Sequence, residues 1–175
     1  MFKQLKARHE RVLEVVNRAG WLGPALVRVT LGVVFMGTGW GKLHSLDKVT
    51  DFFTQLGLPA PHFQAVLVAS TEFFGGLAVL LGLATRLAAI PLMITMIVAI
   101  ATAKRSEIDG LQSLLGFEEF SYLAMYVWLI VAGPGKLSLD HLIARRLAAK
   151  KHLAPNSAAH STTVPSTSHR SAPSA

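Results

Sequence analysis

Residues 63–83 form an apolar run of about the ~20 residues that a helix needs to cross a bilayer. Near its middle stands one carboxylate, Glu72. A charge at that depth costs about 3 kcal/mol or more unless it is paired, protonated or turned toward water. That residue narrows the folds open to the chain, because the remainder must supply it with one of the three. Ala65, Ala69, Glu72 and Gly76 fall at offsets of 4, 7 and 11, which places them on one helical face. A stripe of small residues carrying a single acid faces protein rather than lipid.

The surrounding composition supports a membrane protein. Of 175 residues, 51% are hydrophobic and 15% charged, and the apolar residues are gathered into long runs. An all-α, membrane-embedded four-helix bundle is the expected fold class. The chain has no cysteine, which excludes disulfides, thiol catalysis and thiolate metal sites. The net charge of +7 sits beside the membrane segments, so anionic lipid is the expected partner and nucleic acid is not.

In chain order, residues 1–19 read as a basic amphipathic surface segment. The first span runs over about 21–40, flanked by Trp21 and Trp40. Arg28, Gly32, Phe35, Gly39 and Lys42 share one of its faces, and Gly37 and Gly41 form a small-xxx-small pair suited to close helix contact. A polar connection follows, with a short surface helix near residues 46–56 that Gly57 stops, and Pro59 and Pro61 turn the chain back. The second span is 63–83, with Gly75 and Gly76 as packing positions. A third covers 87–103, with Pro91 in its first turns, and a fourth, about 117–132, is short and aromatic. Ser138 can cap a basic amphipathic helix within 136–153, and 154–175 has the composition of a disordered tail.

Five basic residues precede the first span, Arg86 lies in the turn between the second and third, and six more follow the fourth. The opposite loops hold Lys42, Lys48, Lys104 and Arg105. The positive-inside rule then puts both termini in the cytoplasm. Counting 1.5 Å per residue from the membrane ends sets Arg28 and Glu72 at similar depths on sequential helices. An Arg28–Glu72 ion pair is therefore expected, either as a structural clamp or as a functional polar site that includes Lys42. His44 and His62 flank one loop, but two histidines without a third ligand do not make a metal site.

Several short motifs recur in a specific order: Gly39-Trp-Gly41-Lys42, Gly57-Leu-Pro59, Glu72-Phe-Phe-Gly75-Gly76, and Leu81-Gly82-Leu-Ala-Thr85-Arg86. In this order and spacing the chain resembles the DoxX family of small bacterial membrane proteins, over roughly residues 26–134. The resemblance implies a four-helix, multi-pass inner-membrane protein. Some relatives are described as subunits of thiosulfate:quinone oxidoreductase, and others are linked to oxidative-stress complexes with superoxide dismutase and a sulfurtransferase. The positions matching the family pattern are Arg28, Lys42, Glu72, Gly76, Gly82 and Arg86. The resulting expectation is a subunit of, or accessory to, a membrane redox complex. In that reading Arg28, Lys42 and Glu72 line a cavity, a quinone is the possible cofactor, and electrons come from a soluble redox partner. A non-enzymatic anchor that docks soluble proteins is the alternative. A small transporter or channel comes third, because one Glu and one Arg line a pore only in a homo-oligomer.

Overall fold

The structure is a computed structural model that describes residues 19–152 together with positions 6, 8, 10, 13 and 14. The expected N-terminal amphipathic segment lies outside the described residues except at those scattered positions, and the expected disordered tail lies wholly outside them. Among the described residues the fold is all-helical. Its helices are α1 (Leu22–Leu43), α2 (Leu46–Gln55), α3 (Pro61–Leu81), α4 (Thr85–Thr102), α5 (Leu111–Gly116), α6 (Glu118–Ala132) and α7 (Leu139–His152), with a 3-10 turn at Arg105–Glu107.

Helices α1, α3 and α4 are long and apolar enough to cross a membrane. The outer surfaces of α3, α4 and α6 (Glu118–Ala132) suit lipid: Phe74, Leu87 and Val131 are 63%, 71% and 75% exposed. The residues expected to form a fourth span make the 15-residue α6, which is not among the helices long and apolar enough to cross a membrane. At 1.5 Å per residue it rises about 22 Å, short of a ~30 Å hydrocarbon core. Its start is sharp because Phe117 is extended, and Glu118 and Glu119 then occupy the first turn, where carboxylates complement the helix dipole.

Turn chemistry fixes the boundaries. Gly57, with φ +70°, ends the α2 segment, and Pro61 is the first residue of α3. Gly82, with φ +72°, closes α3. Helix α4 begins at Thr85, two residues earlier than expected, and Pro91 falls in its second turn, within the first turns as expected.

Three close approaches set the register of α1 against α3. A Cβ on Gly32 would meet the backbone of Leu80, and one on Gly76 would meet Phe35 and Met36. A Cβ on Gly39 would collide with the backbone of Phe73. The expected pair Gly37 and Gly41 takes no part, since both face open space. They lie on the far side of α1 from the face that Gly32, Phe35 and Gly39 present to α3. Gly75 packs toward α4, where Leu92 fills the space beside it. The core is Leu31 and Phe35 from α1, Val79 from α3, Ala89, Leu92 and Met96 from α4, and Tyr126 and Leu129 from α6.

Valine at Gly39 forces the helices apart, whereas valine at Gly37 meets nothing. Overpacking of this kind costs about 1–3 kcal/mol. We expect Gly39→Val to lose most of its monodisperse peak in detergent and Gly37→Val to keep it, as read by size exclusion after a heating series.

Candidate functional site

Helix α3 carries Glu72 on its buried face, 2% exposed, with Ala65, Ala69, Gly76 and Val79. The carboxylate is answered by Lys42 rather than by Arg28: Lys42 Nζ lies 2.6 Å from Glu72 Oε1. The glycine register explains why. With Gly39 against Ala69 and Phe73, and Gly32 against Leu80, Glu72 stands level with the last turn of α1. Lys42 reaches it from that turn. The expected Arg28–Glu72 pair does not form, because Arg28 lies level with the end of α3, seven to eight residues or about 11 Å further along it.

Arg28 has a different task. Its Nε donates to Val79 O at 3.0 Å and its Nη2 to Leu80 O at 2.9 Å. Its Nη1 donates to Pro134 O at 3.0 Å and Leu137 O at 2.9 Å. Val79 and Leu80 are among the last carbonyls of α3, beyond the reach of its regular hydrogen-bond ladder, and Val79 O also accepts from Gly82 N at 3.1 Å. A cation there also complements the negative end of the helix dipole. Around this knot, Ser138 Oγ accepts from His141 N at 3.1 Å, capping α7 as its position suggests. Asp140 accepts from Ala84 N at 2.7 Å and from Thr85 N at 3.1 Å, so a residue of α7 caps α4. A Cβ on Gly82 would strike the Arg28 guanidinium and Ser138. Arg86 Nη2 donates to Val131 O at 3.3 Å.

The bundle thus has two polar centres, one at each end of the α1–α3 contact. The Lys42–Glu72 centre opens on a cavity of about 900 Å³ between α2, α3 and α4. Its walls are mostly apolar, with Phe52, Phe53, Leu67 and Ile94 among them, and Thr71 and Thr95 add hydroxyls. Helix α2 covers it because Val49, Phe52, Phe53 and Leu56 fall on one side and Asp47 and Asp51 on the other, with Lys48 at the cavity's edge. Lys42, Lys48 and Lys104 are balanced by Glu72, Glu107 and Glu119, so the lining carries no net formal charge. Lys42 is 34% exposed at its side chain and Glu72 only 3%, so the ammonium is the member of the pair that a guest reaches. Glu72 Oε2 and the Tyr126 hydroxyl are buried without a hydrogen-bond partner among the described residues.

Of the residues singled out from the sequence, Lys42 and Glu72 meet, Arg28 belongs to the other centre, and Gly32 and Gly76 hold the two centres in register. His44 turns its Nδ1 to Trp40 O at 2.9 Å, and His62 faces Thr50 at 3.4 Å. Asp140 and Tyr126 were not marked by the sequence. An acid in the first turn of a helix reads as a local dipole partner, and the 55 residues between Asp140 and Thr85 conceal its other use.

Comparison with known proteins places the chain among small membrane proteins. The DoxX family profile matches residues 23–105. "Putative oxidoreductase CatD" of Bacillus subtilis is 32% identical over 130 residues, 73% of this chain and 92% of that protein. "Uncharacterized membrane protein Rv3486" of Mycobacterium tuberculosis is 34% identical over 134 residues, 70% of this chain and 82% of that protein. "Inner membrane protein YqjF" of Escherichia coli is 26% identical over 125 residues, 71% of this chain and 95% of that protein. No solved structure matches.

Removing one partner of a buried ion pair leaves the other charge uncompensated, at a cost of about 3–5 kcal/mol. Lys42→Met should therefore sharply lower folded yield, and the double change Lys42→Met with Glu72→Leu should recover it. Exchanging Arg28 and Glu72 should recover nothing. Fluorescence-detected size exclusion of the four proteins checks all three expectations.

Proposed function

The chain belongs to the DoxX family, and from that premise we propose that it is a multi-pass inner-membrane subunit of a redox complex that binds a quinone in the α2–α3–α4 cavity. The observation that carries this reading is the cavity itself: about 900 Å³, largely apolar and charge-balanced, with the Lys42–Glu72 pair in its wall. A fatty acid would need a net positive lining and an organic cation a net negative one. A neutral ring with carbonyl acceptors and an apolar tail suits these walls better. Lys42 keeps donors beyond the one given to Glu72, enough to hold a carbonyl oxygen. Glu72 has a carboxylate oxygen with no hydrogen-bond partner among the described residues, open to a hydroxyl donor on the reduced ring. A bound quinone supplies two-electron, two-proton carrier chemistry. The chain has no cysteine with which to pass electrons through a thiol or thiolate cluster, so a partner protein delivers or receives them. The oxidoreductase name of the Bacillus relative supports the same class.

In this reading α5 and α6 together make the fourth crossing, both termini lie in the cytoplasm, and the cavity opens toward the opposite face. The distribution of Lys and Arg supports that orientation. The runner-up is a docking platform without redox chemistry. It is favoured by α7, whose first turn is pinned by Asp140 and whose Arg145 and Arg146 are exposed.

Two measurements test the reading. Protein extracted with native lipid should carry quinone detectable by chromatography and ultraviolet spectrum. The double change Lys42→Met with Glu72→Leu, which recovers the folded peak, should reduce the amount at least fivefold. Equal quinone in both proteins would reject the site. Because the chain has no cysteine, single reporters are clean: Asp47→Cys should label from outside intact cells and Lys136→Cys only after permeabilisation.

A further inference from the structure

The cavity beside Lys42 and Glu72 has borders of two kinds. At the loop end it is rimmed by charge. Lys48, Lys104, Glu107 and Glu119 stand there, and Lys104 Nζ lies 3.2 Å from Glu107 Oε2. Along its length the border is hydrocarbon. The lining follows α4 from Pro91 to Ala103, about 18 Å at 1.5 Å per residue. Helix α2 leans on α3 rather than on α4, so it roofs the space without closing the α4 side.

The two long walls turn directly into the outer surface of the bundle. On α3, Leu67 lines the cavity and shares a helical stripe with Phe63 and Phe74, four residues before it and seven after. On α4, Ile94 and Val98 line the cavity and continue the stripe of Leu87, at offsets of 7 and 11. Leu67, Ile94 and Val98 are 52%, 51% and 40% exposed, and Phe63, Phe74 and Leu87 more so. The buried faces lie elsewhere, at Ala69 and Glu72 on α3 and at Leu92 and Met96 on α4. Each edge residue therefore belongs both to the cavity and to the surface that the spans offer to lipid. No charged residue interrupts either stripe.

We propose that the cavity is entered sideways from the membrane, through a doorway between α3 and α4 edged by Leu67, Ile94 and Val98. The guest's hydrocarbon tail lies in that doorway while its head reaches Lys42 and Glu72. The occupant is a quinone with an isoprenoid tail. The inference rests on the quinone reading for the head group, and it adds the tail as a required part of the ligand. A long tail stays in the bilayer throughout, because passing the charged rim would wet each of its methylenes. A phospholipid suits the site less well, since its phosphate would meet a lining with no net positive charge. The doorway therefore selects by tail: a carrier without one has only the rim as its route and gains nothing from the apolar edge.

The test places a bimane dye inside the cavity of the full chain in lipid nanodiscs. The chain has no cysteine, so Thr95→Cys and Ala99→Cys, both in the lining, each give a single label. Ile97→Cys, exposed on α4 outside the cavity, is the lipid reference, and Asp109→Cys, exposed in a loop, is the water reference. Phosphatidylcholine brominated on its acyl chains quenches dye that lipid tails touch, and iodide quenches dye that water reaches. Bromolipid should quench a cavity dye at least half as strongly as the dye at Ile97, and iodide at least fivefold less than at Asp109. Leu67→Phe with Ile94→Phe narrows the doorway and should cut bromolipid quenching of the cavity dye at least threefold, leaving Ile97→Cys unchanged. A quinone with a full isoprenoid tail should relieve the bromolipid quenching, and its tail-less homologue at the same concentration should not. The doorway is overturned if iodide quenches both cavity positions as at Asp109 while bromolipid does not, or if the narrowed protein behaves as the wild type. Equal relief by the two quinones overturns the role of the tail. Bromolipid quenching that neither quinone relieves upholds the doorway and rejects the quinone.

Discussion

The close contact of α1 with α3 governs the rest of this molecule. Gly32, Gly39 and Gly76 let two backbones touch where any side chain would hold them apart. Within lipid there is little hydrophobic force to bring helices together, so steric fit decides how they align. That alignment determines which base meets which acid. Sliding α3 by two turns would bring Glu72 to Arg28 and leave Lys42 without a partner. The ion pair is thus a consequence of glycine placement more than its cause.

Each polar centre solves a different problem. Arg28 satisfies backbone carbonyls that would otherwise end in an apolar medium, and in doing so joins the α3–α4 turn to the loop before α7. Asp140 completes that end by supplying the first amides of α4 with acceptors. Among the described residues every buried side-chain group there has a partner apart from the Thr85 hydroxyl, and the geometry is that of a fastening. At the other end the Lys42–Glu72 pair leaves one carboxylate oxygen open, borders a large cavity and is covered only by the amphipathic α2. The contrast between a saturated centre and an unsaturated one separates architecture from chemistry here.

Much of this was legible in the residues. The stripe Ala65, Ala69, Glu72, Gly76 is the buried face of α3, and Arg28, Gly32, Phe35 and Gly39 are that of α1, because helical periodicity records which side avoids lipid. The surface helix α2 and the cap at Ser138 were equally readable from local signals. The pairing of Arg28 with Glu72 was misread because depth was counted from apolar run ends, which shift by several residues without cost, while register is set by contact. Gly37 and Gly41 matched a packing motif yet face outward, since spacing defines a stripe without saying which stripe is used. The α6 helix came out shorter than a full crossing because Phe117 breaks it from α5. Asp140 was hidden because its partners lie two elements away.

The fastening at Arg28 also bears on the order in which the chain is assembled. Two of the guanidinium's four acceptors belong to Pro134 and Leu137, more than 100 positions later in the chain. While synthesis proceeds, the first helix therefore enters the bilayer with its cation only half accommodated. It must lean toward the headgroups or keep water beside it until the last loop arrives. Closure of the bundle is a terminal event, and a nascent chain halted before Leu137 should remain open to quality-control proteases.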